Sequence, residues 1–239
     1  MVFRMSSIND ALTYPTEHDE WIQTVLIGGI LLLFGFLLLP LFLVYGYIIR
    51  VIQHRLDGDP EPPTFGEWED LFIDGIKTFI IGLVYMLIPA AVGAFMVGGS
   101  IATMATGTRS GAAAGMAGLA LGMLVTFALS LVFGYVAAAA IVNFANEERI
   151  GAAFDFTTLK TIALSREYGI AWGLSIVVLV AANIVVGVLN VIPFLGFVIG
   201  VFVIFYAQIV AAHLWVDGYN DALDGGGAAG RSGADETGM

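Results

Sequence analysis

The side chains best suited to proton transfer or metal binding near neutral pH are three histidines, His18, His54 and His213, and they fall in three separate segments. His18 belongs to a polar lead, His54 closes an arginine-bearing amphipathic turn, and His213 falls near the inner end of the last apolar run. Packing at an interface accounts for each. Asp57, Asp59 and Glu61 alternate like the start of a cation loop, but Pro60, Pro62 and Pro63 interrupt them and no downstream ligand follows. Hydration of an acidic surface is the better reading. There is no phosphate-cradling glycine loop with its Lys and Ser/Thr, no H-E-x-x-H and no G-x-S-x-G. The chain has no cysteine, which excludes disulfides, thiol chemistry and thiolate-held metals. No catalytic, cofactor-binding or metal-ligating residue is expected, and no enzyme activity.

The remaining polar groups are mild. Thr126, Ser130, Asn143, Asn183, Asn190 and Gln208 are scattered through otherwise apolar runs. Inside a bilayer such groups bond across helices, at about 0.6 kcal/mol each. Ser130, Asn183 and Gln208 are the candidates to line a neutral polar path, if one exists. No Asp, Glu, Lys or Arg lies in the middle of an apolar run. One Asp at a helix centre costs about 2.5–3.5 kcal/mol, so membranes keep such residues where function needs them. Their absence argues against a carboxylate-driven proton or sodium pump.

The elements that carry these residues are set by composition. Of 239 residues, 59% are hydrophobic and 12% charged. From Ile76 to Asn146 the only charged residues are Lys77 and Arg109, and from Tyr168 to Val216 there are none. Such stretches suit a bilayer, which a helix of about 20 apolar residues spans. The expected fold is an all-α integral membrane protein with five spans, at about 22–49, 76–98, 117–144, 170–192 and 194–216. Residues 1–20 form a polar lead without a secretory signal pattern, so the first span serves as the membrane signal, with Trp21 as its interfacial anchor. Pro40 is the expected kink of span one, and Pro193 separates spans four and five. The acidic, glycine-rich tail over 217–239 is expected to be disordered.

Two polar inserts carry apolar stripes. In the first, Thr64 caps a helix on which Phe65, Trp68, Phe72, Ile76 and Phe79 share a face, and in the second Phe156, Leu159, Ile162 and Ala163 form a shorter stripe. Both read as cytoplasmic interfacial helices, with Phe65, Trp68 and Phe72 marking the first. Span, insert and span recur at an offset of roughly 90 residues, a weak internal repeat. The inserts also hold Arg50, Arg55, Arg149, Lys160 and Arg166, which places them inside, with the N-terminus outside and the C-terminus inside. Glycines four apart at Gly118/Gly122, Gly169/Gly173 and Gly196/Gly200 allow close helix approach, within the chain or in a homo-oligomer.

The net charge is −11, with two lysines, Lys77 and Lys160, against seven arginines. Acid-rich, lysine-poor surfaces suit molar salt, where the Debye length falls to about 3 Å and carboxylates repel little. One run is specific: Tyr14-Pro15, Trp21, Gly46-Tyr47 with Arg50-Val51, Gly58-Asp59, Pro62-Pro63, Phe65, Trp68, Leu71, Asp74-Gly75, Tyr85 and Pro89. It resembles a haloarchaeal membrane-protein family known as domain of unknown function 4013. The resemblance covers most of the chain, supports a halophilic setting and implies no activity and no functional residues. The expected partners are the lipid bilayer and a membrane protein or second copy, and no nucleic acid. The expected role is a non-enzymatic membrane-organising or complex-partner component; the alternative is a small-solute permease or channel.

Overall fold

A computed structural model describes residues 5–192 and 194–235, so Arg4, Pro193 and the last four residues of the tail lie outside the described residues. The described chain is all-α, as expected, with no strand. Its helices are α1 (Met5–Thr13), α2 (Trp21–Leu33), α3 (Leu39–Leu56), α4 (Trp68–Met104), α5 (Arg109–Glu147), α6 (Phe156–Ala163), α7 (Arg166–Leu189) and α8 (Leu195–Asp235). Four of them, α4, α5, α7 and α8, are long and apolar enough to cross a membrane. The chain forms two compact units: Met1–Phe79 with Ala139–Met239, and Ile80–Ala138.

In the first unit, the run expected to cross once over 22–49 is divided. A 3-10 turn at Gly35–Leu37 separates α2 from α3, Leu38 takes the left-handed backbone with φ of 63°, and Pro40 falls in the first turn of α3. The break therefore precedes Pro40, which starts the second helix instead of kinking one long helix. At 1.5 Å per residue the 13 residues of α2 reach only about 20 Å. The turn keeps its backbone paired, with Phe34 donating to Ile30, Leu37 to Phe34, Leu38 to Gly35 and Phe42 to Leu38. Phe36, Leu37, Leu38 and Leu39 at this tip are exposed apolar side chains.

Helix α8 shows which way the two arms run. Gly29 and Gly28 of α2 lie against Phe202 and Phe205. On α3, Tyr47 meets Phe205 at 5.4 Å between ring centroids, and Arg55 reaches Asp217 at 3.1 Å. The α3 arm thus ascends along α8, and the lead before α2 lies at its upper end. There Ala11 packs with Val210 and Leu214, Tyr206 donates to the Leu12 carbonyl at 2.5 Å, and Tyr14 meets His213 edge-on at 4.8 Å. Tyr14 also donates to the Glu61 carbonyl at 3.3 Å. The first apolar run therefore begins and ends at the same end of this unit. The expected repeat has no architectural counterpart, because α5 is a single helix of 39 residues.

The crossing of α3 and α4 is fixed by two glycines. A Cβ at Gly46 would fall on the Leu71 carbonyl, and one at Gly75 on the Phe42 carbonyl. Only hydrogen fits at these two backbone-to-backbone contacts. The intervening segment is tied to α3: Tyr47 donates to the Pro63 carbonyl at 2.9 Å, and Arg50 pairs with Glu67 at 2.9 Å and donates to the Gly66 carbonyl at 3.2 Å. Helix α4 starts at Trp68, not at Thr64, after Glu67 with φ of 46°, so the first amphipathic stripe is the beginning of α4 rather than a separate interfacial helix. The helix of α8 likewise continues past Asp217, with Tyr219 and Ala222 buried, where a disordered tail is expected. Contacts of Asp217 and Tyr219 with α3 and α5 hold it there.

The second unit is a hairpin of the adjoining ends of α4 and α5. Gly93 lies against Thr126, Gly122 against the Met96 side chain and Gly118 against Ser100. Its glycine pair at 118 and 122 is thus occupied within the chain.

Candidate functional site

Two features of the first unit are candidates, one buried and one open. The buried one forms where α3, α8 and the lead converge. Arg55 pairs with Asp217, whose other carboxylate oxygen lies 3.5 Å from His213 Nε2, while the Arg55 guanidinium sits 5.4 Å from the centre of the Tyr14 ring. His213 is 2% exposed and its Nδ1 has no hydrogen-bond partner among the described residues; nor has Arg55 Nε. His54 lies 3.5 Å from Asp59, an ion-pair separation without a hydrogen bond at its buried Nδ1. Burial pushes the Tyr14 hydroxyl above the ordinary tyrosine range, and Arg55 opposes that rise in part. Tyr14 therefore stays neutral. The charges of Arg55 and Asp217 offset each other, so the cluster fastens the lead, α3 and α8 together. Among the described residues no group of three metal-ligating side chains converges.

A second tie lies one turn on. Tyr219 donates to Asn143 Oδ1 at 2.7 Å, and Asn143 Nδ2 donates to the Ala152 carbonyl at 2.8 Å. Trp215 donates to Ser175 at 2.8 Å, joining α8 to α7. These contacts account for two polar residues of the spans as structural bonds.

The three residues proposed for a polar path are divided between the two units. Asn183 is exposed on α7 and its Nδ2 donates to the Leu179 carbonyl of its own helix at 2.8 Å. Gln208 is half-buried on α8, and Ser130 belongs to the other unit. Of the three aromatic residues assigned to the interfacial helix, Phe65 stacks on Tyr47 at 4.3 Å and Phe72 meets Phe42 edge-on at 5.8 Å. Trp68 stacks on Phe65 at 5.7 Å and, of the three, is the exposed one, at 48%.

The open feature is the outer face of α7. Its inner face is built from Ala171, Ser175 and Ala182, all buried. On the outer face Gly173, Val177, Val180, Ile184 and Gly187 follow at alternating intervals of four and three, and nothing lies within 4 Å of where a Cβ would stand on either glycine. Asn183 is three residues from Val180 and four from Gly187, so it borders the same surface. By contrast Gly200 packs against Val186 within the chain. The sequence names the glycine pairs but not which of them a neighbouring helix fills; Gly187, which no pair includes, is legible only from the helix surface.

The family model described as "Protein of unknown function (DUF4013)" matches residues 29–191, and the chain belongs to that family. The matched residues include the α3–α4 crossing and the α7 face. Comparison with curated proteins and with solved structures gives no match.

Proposed function

We infer that this member of the family is a non-enzymatic membrane component that partners another membrane protein or a second copy of itself. The observation that supports this reading is the α7 face, where open glycines border an exposed amide. Small residues let helix backbones approach, and Asn bonds across helices in a bilayer. Asn183 Nδ2 donates to the Leu179 carbonyl of its own helix, and leaving the rest of the amide without a partner in an apolar medium costs about 1–3 kcal/mol, so Asn183 favours a partner helix over lipid. The same orientation disfavours the permease, because a path-lining group should face its neighbours in the bundle. The acid-rich, lysine-poor surface supports a halophilic, archaeal setting.

In this reading the α2–α3 hairpin is re-entrant and four helices cross. The N-terminal lead, both polar inserts and the C-terminal part of α8 then share the cytoplasmic side, with Arg50, Arg55, Lys77, Arg149, Lys160 and Arg166 among them. This replaces the outside N-terminus that five crossings give.

The test is purification of the tagged protein in mild detergent from its native high-salt membranes, with mass spectrometry of co-purifying chains and its own oligomeric mass. A stoichiometric partner or a stable oligomer that Gly187→Leu disrupts is expected. A monomer without partner that conducts a small solute in liposomes would replace this reading with the permease.

A further inference from the structure

The geometry points to a phospholipid-phosphate contact on the outward face of α6, centred on Lys160. The inference stands apart from the partner reading, because it uses no residue of the α7 face.

Helix α6 presents apolar side chains on two sides. Leu159 and Ile162 are buried and anchor it to the first unit. On the opposite side Phe156 is 68% and Leu164 75% exposed, with Lys160 midway between them. These residues are four apart, so they form one stripe, and with Thr157 and Thr161 they line a shallow cleft. Asp155, the nearest preceding acid, is already engaged as the cap, accepting from Thr157 N at 3.1 Å and from the Thr158 hydroxyl at 2.8 Å. The ion pairs of Arg50, Arg55, Lys77 and Arg149 each have an acid partner, whereas Lys160 has none among the described residues.

The position of α6 selects the occupant. It ends at Ala163, three residues before α7 begins at Arg166, and Ile170 one turn later is already exposed and apolar. This adjacency puts the outward stripe beside the start of an apolar helix long enough to cross a membrane, the level at which headgroups would lie. Large apolar side chains on either side of a lysine fit that boundary: Phe156 and Leu164 enter the acyl margin and Lys160 reaches the phosphate. The Thr161 hydroxyl is committed to the Thr157 carbonyl at 3.2 Å, which leaves the Thr157 hydroxyl as the second donor. A soluble acidic partner would satisfy Lys160 but leave the two apolar side chains without a role. The ligand is thus the phosphodiester of an anionic phospholipid.

The full-length protein in mild detergent, incubated with equimolar phosphatidylglycerol and phosphatidylcholine, is read by native mass spectrometry for retained lipid. Preferential retention of phosphatidylglycerol is expected. Lys160→Gln should weaken it about five-fold, the worth of one lysine near an anionic surface, and Lys160→Arg should preserve it. Phe156→Ser with Leu164→Ser should weaken retention of both lipids at unchanged helix content. Equal retention of the two lipids, an unchanged preference in Lys160→Gln, or displacement of phosphatidylglycerol by millimolar inorganic phosphate would each overturn the assignment, the last by showing a free-phosphate site.

Discussion

The α3–α4 crossing in the first unit and the hairpin in the second both rely on glycine, but in different ways. At the crossing, Gly46 and Gly75 face backbone carbonyls, which cannot move without moving a helix. In the hairpin, Gly122 and Gly118 face the Met96 and Ser100 side chains, which can turn aside. The first unit adds ion pairs and buried hydrogen bonds at fixed distances, while residues 80–138 carry a single charged residue, Arg109. One region is specified contact by contact and the other by the general packing of small residues. Of the residues that carry the family resemblance, Gly46, Tyr47, Arg50, Pro63, Phe65, Leu71 and Gly75 cluster at the specified crossing, which gives them a structural role.

Substitutions should separate the two regions. Gly46→Val places a branched side chain on the Leu71 carbonyl and should cost about 3 kcal/mol or more, read as loss of the folded protein in a denaturant titration. A tolerated Gly46→Val would break the comparison. Asp217→Ala leaves Arg55 unpaired beside Tyr14 and should cost about 1–3 kcal/mol, with the lead released to proteolysis. Gly122→Ala requires only that the Met96 side chain turn, and should shift stability by about 1 kcal/mol or less.

The smallest effect is set by acid. The Thr158 hydroxyl, with backbone N–H groups of Thr158 and Thr157, holds the Asp155 carboxyl below its ordinary value of 3.8. A lowered folded-state value means that the cap contributes fully above pH 3.8 and is lost as pH falls through the lower value. Amide protection at Thr157 and Thr158 should fall there, while protection in residues 117–138, which have no carboxylate, holds.

Much of the fold was legible in the sequence. The uncharged runs imply the crossing helices, and Asn143 reads correctly as a group that bonds between elements. The turn that divides the first apolar run was not legible, because an apolar run of the right length reads as a span whether or not it turns. The decisive residue, Leu38, has no side-chain preference for a left-handed backbone, and Pro40 marks a disturbance without its direction. The start of α4 was misplaced for a similar reason. Thr64 has the chemistry of a cap, but Tyr47 and Arg50 hold the segment after it in a non-helical path. Periodicity could place Phe65 and Phe72 on an apolar face, but not say whether lipid or Tyr47 and Phe42 would cover it.

The fold-back of the first apolar run is tested most directly by single cysteines, since the chain has none of its own. Asp19→Cys, Asp59→Cys and Ser110→Cys variants are treated in intact cells with a membrane-impermeant maleimide. Labelling at position 110 alone, with positions 19 and 59 reacting only after permeabilisation, is the expected result. Labelling of positions 19 and 110 together in intact cells, with position 59 protected, would show one straight crossing and contradict the hairpin.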